Sequence, residues 1–289
     1  MQQTENKELI ISYADTGEIK ARTNYAITAE ELQEQQKQKE KGRAVYHAKD
    51  KYYQEDRRKF VINFMDNIRG IMPSMTLTEA GVLMRLLPYT QGKGEIKENG
   101  KHLKLTDIQK IIKRSEKPTR QTLSQLEKLG LLTSEGKPKR YKVNPNYHHI
   151  GNLHGRKGEK FVKLYKNKAK ELLDGLTLNE CGLVYKILPF FHYETFILCA
   201  NPNEPKPELF EELSQTKLAE LIGHDYGELK TLLAKLRGKG VLLQTESSHV
   251  KSHYVHPSLM YRKDYDTEHA RQLRAMFERN EIRKQARRR

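Results

Sequence analysis

The segment TLTEAGVLMRLLPY, residues 76–89, returns as TLNECGLVYKILPF at residues 177–190, an offset of 101. KFV at 59–61 and 160–162 keeps the same offset. Further on, Ile108, Ile111 and Ile112 match Leu218, Leu221 and Ile222 at 110, as Leu123, Leu126, Gly130 and Leu132 match Leu233, Leu236, Gly240 and Leu242. Val143 and Pro145 then match Val255 and Pro257 at 112. The offset grows only between elements, where extra chain costs little. Several segments in register imply one folding unit written twice. The expected organisation is an N-terminal arm over 1–57, a first domain over 58–150, a linker at 151–158, a second domain over 159–262 and a basic tail over 263–289.

Each copy predicts the same coarse plan. A first helix runs through VINFMDNIRG or VKLYKNKAKE, and a second through LTEAGVLMRLL or LNECGLVYKIL. Thr76 is placed to cap the second helix, Val82, Leu83, Leu86 and Leu87 face a core, and Pro88 and Pro189 stop it. Next, Thr106 caps a helix with Ile108, Ile111 and Ile112 on one face, and Pro118 sits in the first turn of another. Leu123, Leu126 and Leu129 form the buried stripe of that helix, and Gly130 ends it. LLTSEGKPKRYKVNP then reads as two short strands around Glu135, Gly136 and Lys137.

Helix, turn, helix and hairpin, twice over, resembles the winged-helix superfamily. The stretches that carry the likeness are LSQLEKLGLLTSEGKPKRYKVNP and LLAKLRGKGVLLQTESSHVKSHYVHP. ISYADTGEIKARTNYAIT is similar to leader segments of winged-helix proteins from Gram-positive phages and plasmids, and the duplicated arrangement is similar to plasmid replication initiators with tandem winged helices. The resemblance implies a mainly α fold with small β wings, built as two tandem winged-helix domains.

Charge indicates the partner. The chain of 289 residues carries +16, and residues 43–150 hold 22 Lys and Arg against 11 Asp and Glu, whereas residues 151–262 hold 16 against 13. Affinity for duplex DNA grows with the phosphates neutralised, so the first copy is the stronger reader. In a winged helix the second helix of the motif enters the major groove. Its outward face here is expected to carry Thr119, Arg120, Gln121, Ser124, Gln125 and Lys128. Lys113, Arg114 and Lys117 flank the turn where phosphate contacts sit, and Lys137, Lys139 and Arg140 lie on the wing. The second copy offers Lys230 and Arg237 among Tyr226, Glu228, Thr231 and Lys235, which suits either a second DNA contact or a homodimer contact. The bland reading of each charged face is solvated surface.

Enzyme classes find little purchase. No two His are separated by one residue, as a rolling-circle initiator requires, and no GxxxxGK[ST] loop is present. HHIGNLH (His148, His149, His154) and the set His249, His253 and His256 match no familiar metal spacing, so neither metal nor cofactor is expected. Cys181 and Cys199 read as free thiols of a reducing cytoplasm, and no apolar run reaches the length of a membrane span. MQQTENKELI lacks a signal-peptide pattern. The expectation is a non-enzymatic, cytoplasmic binder of double-stranded DNA: a phage or plasmid transcription regulator, or a replication initiator on repeated origin sites that recruits host machinery. A protein-interaction scaffold that binds no DNA is the alternative of a different class.

Overall fold

The computed structural model describes residues 9–12, 19–23, 29–55, 59–151, 153, 155–156, 158–206, 209, 211–247 and 250–286. His154, His249, Arg287 to Arg289 and most of the TGEI stretch lie outside the described residues. About half the chain is helical and about a fifth is strand, a mixed α/β composition rather than a mainly α one with small wings. No described helix is long and apolar enough to cross a membrane.

The chain divides into two units, Met1–Glu55 and Asp56–Arg289. In the first, β1 (Leu9–Ser12) and β2 (Ile19–Thr23) pair antiparallel, and α1 (Ala29–Glu55) follows. Residues 33–44 of α1 are exposed throughout, in keeping with their Gln, Glu and Lys content.

The second unit contains both copies of the repeated segments. The first copy runs β3 (Phe60–Phe64), α2 (Met65–Ile71), α3 (Leu77–Leu86), β4 (Thr90–Gln91), β5 (Glu95–Glu98) and β6 (Lys101–His102). It continues with α4 (Leu105–Ile112), α5 (Glu116–Lys128), β7 (Leu132–Glu135), β8 (Arg140–Val143) and β9 (His148–His149). The second copy runs β10 (Phe161–Tyr165), α6 (Lys166–Asp174), α7 (Leu178–Lys186), α8 (Gln215–Ile222), α9 (Tyr226–Gly238), β11 (Leu242–Ser247), β12 (Val250–Val255) and β13 (Met260–Tyr261). α10 (Glu268–Ala286) closes the described chain.

The central sheet departs from the sequence expectation. FVINF and FVKLY, read as the starts of helices, are strands, and the helices begin only at Met65 and Lys166. β3 and β10 pair antiparallel with Ile62 opposite Lys163, Phe60 opposite Tyr165 and Phe64 opposite Phe161. Ile62 and Lys163 are 101 residues apart, the repeat offset, so the strands pair about a local two-fold. β9 and β13 extend the sheet on either side, giving the order β13-β10-β3-β9. Each strand pairs its backbone groups with those of its own counterpart. The stretches 58–150 and 159–262 therefore share one sheet within one compact unit.

The same two-fold passes between α3 and α7. Thr76 and Thr177 each cap their helix, with Glu79 and Glu180 completing reciprocal capping boxes. The helices cross so tightly that Gly81 faces the backbone of Leu178, and Gly182 faces that of Leu77. Thr78 donates to Asn179 Oδ1 at 3.1 Å, again between residues 101 apart.

Two buried cations recur on this helix pair. Arg85 donates to the Ile111 carbonyl at 2.8 Å and to that of Leu176, and Lys186 donates to the Ile222 carbonyl at 3.0 Å. Each thus satisfies the last turn of the helix that follows, α4 or α8, where backbone carbonyls lack partners. Burial pushes the Lys186 ammonium down to about 8.

Candidate nucleic-acid interface

In the first copy, α4 and α5 meet at a tight turn. Lys113 adopts the left-handed conformation (φ 56°) and Ser115 precedes the new helix. The cap of α4 is Lys104 rather than Thr106, which lies inside the first turn; the Asp107 carboxylate accepts from the Lys104 amide at 2.9 Å. α5 buries Leu123 and Leu126 against α3, and Gly130 takes the left-handed position that ends it (φ 70°). The chain then enters the antiparallel hairpin β7–β8, with Leu132 opposite Val143 and Glu135 opposite Arg140. This hairpin is not isolated: β5 pairs with β8 and joins it to β4 and β6, and the Asn99-Gly100 turn between β5 and β6 (φ 48° and 77°) is a hairpin signal that sequence reading passes over.

Glu127 fixes the hairpin against the helix. Its carboxylate accepts from Ser134 on β7 and forms a 3.0 Å ion pair with Lys139 at the turn. The Glu127 hydrogen bond holds the Lys139 ammonium above its usual range.

Most of the expected α5 face is outward. Lys117, Arg120, Gln121, Ser124, Gln125 and Lys128 are exposed, as are Lys137, Lys139 and Arg140 on the hairpin. Thr119 is the correction. It is fully buried, and its hydroxyl donates to the Ser115 carbonyl at 2.7 Å. A signal was available, because Thr119 lies four and seven residues before Leu123 and Leu126, on the core stripe. Thr122 is buried in the same way.

Several cations already have partners. Lys113 reaches the other copy, pairing with Asp174 at 2.7 Å, and Arg120 pairs with Glu116 one turn earlier at 2.7 Å. Both pairs are exposed and therefore weak, so a phosphate can displace the carboxylate. Arg114 is half-buried and donates to Thr122 at 3.5 Å. Lys142 is tied to Glu135 at 2.9 Å. The three acids of residues 113–142, Glu116, Glu127 and Glu135, are thus each engaged by a cation, against nine Lys and Arg in the same span.

Neither a family model, nor a curated protein, nor a solved structure matches this chain.

The second copy places the equivalent elements differently charged. Asp225 caps α9 by accepting from the Glu228 amide at 2.9 Å. Tyr226, Lys230 and half-buried Arg237 line a groove of about 700 Å³, whose far wall is Gln244 and Lys251 of the β11–β12 hairpin. Sequence reading passes over Lys251, which meets α9 only because the hairpin folds back beside that helix. Residues 223–254 hold five Lys and Arg against three acids, a smaller surplus than the first copy carries.

His148 is fully buried on β9, its Nδ1 2.8 Å from Asn63 Oδ1 and its Nε2 3.2 Å from the Tyr185 hydroxyl. Among the described residues, no three His, Cys, Asp or Glu side chains are grouped to hold a metal ion. Cys181 and Cys199 are buried, and burial pushes the Cys199 thiol up to about 12, far from a reactive thiolate.

Proposed function

We propose that this chain is a double-stranded DNA-binding protein of two winged-helix modules, reading DNA mainly with α5 and the β7–β8 hairpin. The observation that carries this reading is the composition of the α5 face. Gln121, Ser124 and Gln125 stand exposed between Lys117 and Lys128, next to a hairpin whose tip bears Lys137 and Arg140. Amides and hydroxyls can discriminate base edges, and flanking cations take phosphates. Arg120 lies on the hairpin side of α5 and can exchange Glu116 for guanine.

The preferred role is transcription regulation in a phage or plasmid. One observation favours replication initiation as a second reading: both helix-turn-helix units sit in one compact unit, held by a shared sheet, so two DNA readers would keep a fixed spacing. Footprinting across the protein's own locus separates the roles. Protection of a promoter supports regulation, and protection of a repeat array supports initiation.

The DNA reading itself is tested by fluorescence anisotropy on duplex at several salt concentrations. Changing Lys117 and Arg140 to Glu together is expected to lower affinity at least about tenfold and to reduce the salt slope by about 0.9 for each phosphate left without its cation. Gln121→Ala should cost about 1–3 kcal/mol on the preferred site and much less on random duplex. Reversing Lys230 and Arg237 should harm binding less than Arg120→Glu. Salt-independent or absent binding would instead favour a protein-interaction scaffold.

A further inference from the structure

An open cleft of about 830 Å³ lies between elements of both copies. The first copy contributes Arg85 and the α4–α5 turn, with Lys113 and Arg114; the second contributes the starts of α7 and α9. Ile112, Leu176, Leu178 and Leu232 give it an apolar lining. The volume is that of a small-molecule site.

Three observations point to an anionic ligand. Four cations line the cleft, Arg85, Lys113, Arg114 and Lys235, against one carboxylate, Glu228. Lys113 shares its charge with Asp174, which leaves Arg114 and exposed Lys235 as the principal pair. Arg85 is 5% exposed; its guanidinium bonds to Ile111 and Leu176 and lies beside the Cys181 thiol, and its Nε has no oxygen or nitrogen acceptor. A buried guanidinium N–H without an acceptor is costly unless a ligand or water supplies one. Finally, the first turns of α7 and α9 both border the cleft through Leu178, Asn179 and Gly227. Thr177 and Asp225 each cap one N–H of these helices, and the earlier first-turn N–H groups and the positive end of the dipole remain for a ligand.

We propose that this cleft binds a phosphorylated small molecule of nucleotide size. Its phosphates lie between Arg114 and Lys235, over the α7 and α9 N-termini, and its less polar part rests on Ile112 and Leu232. Thr231 supplies a hydroxyl at the rim. A cavity of this volume suits a small molecule, so the ligand is taken to be one and not the DNA of the main reading. Because it touches the α4–α5 turn of one copy and α9 of the other, the ligand would tie the two helix pairs together.

Isothermal titration of the full chain with ATP, GTP and pyrophosphate, in the absence of DNA, tests this directly. At least one nucleotide is expected to bind one to one, and more tightly than pyrophosphate, which cannot use the apolar lining. Lys235→Glu and Arg114→Glu should each weaken binding at least about tenfold, the effect expected for one charge-assisted hydrogen bond. Lys230→Glu, on the other side of α9, should leave it unchanged. Lys235 is exposed on α9, so its variant stays informative if Arg114→Glu impairs folding. The proposal is overturned if no probe binds at 1 mM (roughly the weak limit of specific recognition), or if Lys235→Glu has no effect. It is equally overturned if Lys235→Glu lowers duplex affinity as much as the α5 reversals do, since the cleft would then belong to the DNA face. Duplex binding can fail while nucleotide binding persists, so the two readings are tested separately.

Discussion

Acidification from pH 7 to pH 5 should cost this protein a large part of its folding stability, through three buried histidines. Burial pushes the imidazoles of His148 and His256 down to about 3 and that of His253 down to about 4, from an ordinary value of 6.5. All three are almost fully buried. Their surroundings explain why none accepts a proton. His148 lies between Asn63 and Tyr185, and His256 stacks on Phe277 while its Nδ1 accepts from the Ser258 amide at 3.1 Å. Arg237 adds repulsion at His253, as Lys168 and Arg274 do at His256.

The sign follows from proton counts. Below 6.5 the unfolded chain protonates these histidines and the folded chain does not, so stability falls as pH drops from 6.5 towards the folded values of 3 to 4. Each contributes a loss of about 2 kcal/mol by pH 5, together roughly 6 kcal/mol, against a total of about 5–15 kcal/mol for an ordinary domain. Urea denaturation at pH 7, 6 and 5 should show unfolding coupled to uptake of about three protons at the lowest pH. A free energy of unfolding that stays level between pH 7 and 5 would show that these rings are not neutral in the fold.

The second large effect concerns the two glycines at the crossing of α3 and α7. A methyl at Gly81 would stand 1.9 Å from the Leu178 carbonyl oxygen, and one at Gly182 would stand 2.0 Å from that of Leu77. The obstacle in each case is helix backbone, which cannot rotate aside as a side chain does. Gly81→Ala and Gly182→Ala should each cost about 3 kcal/mol or more, at the upper end of overpacking, and the double variant should not fold cooperatively. Gly70→Ala is the matched control: it too is helical, and nothing lies within 4 Å of its added methyl. There the ordinary helix preference for Ala should raise stability by about 0.5–1 kcal/mol. Thermal and urea midpoints of the three variants measure the contrast. Equal behaviour at Gly70 and Gly81 would mean that the helices do not approach this closely.

These glycines also mark where sequence reading stops. Inside an amphipathic pattern a glycine only weakens the case for a helix, and TEAG and NECG give no reason for it. The reason is a neighbour about a hundred residues away in the chain, across the helix crossing. FVINF and FVKLY fail to read correctly for the same cause. Their short apolar runs fit a buried helix or a buried strand equally well, and the choice is made by each run finding the other across the two-fold. Thr119 differs, because its spacing from Leu123 placed it on the core stripe all along. Arg85 and Lys186 are charged residues amid an apolar helix, and only the docking of α4 and α8 turns them into caps for carbonyl ends.

What the sequence determined by itself is local: capped helix starts at Thr76 and Thr177, glycine-ended α5, the hairpin that follows it, and a cationic face on the first copy. Those features depend on neighbours within a turn or two, where spacing and side-chain chemistry are sufficient. The tertiary structure decided the shared central sheet, the glycine crossing and the cleft between the copies, because each joins residues about a hundred positions apart. Pairing at that range is set by which buried surfaces and backbone groups satisfy one another, and no local period records it.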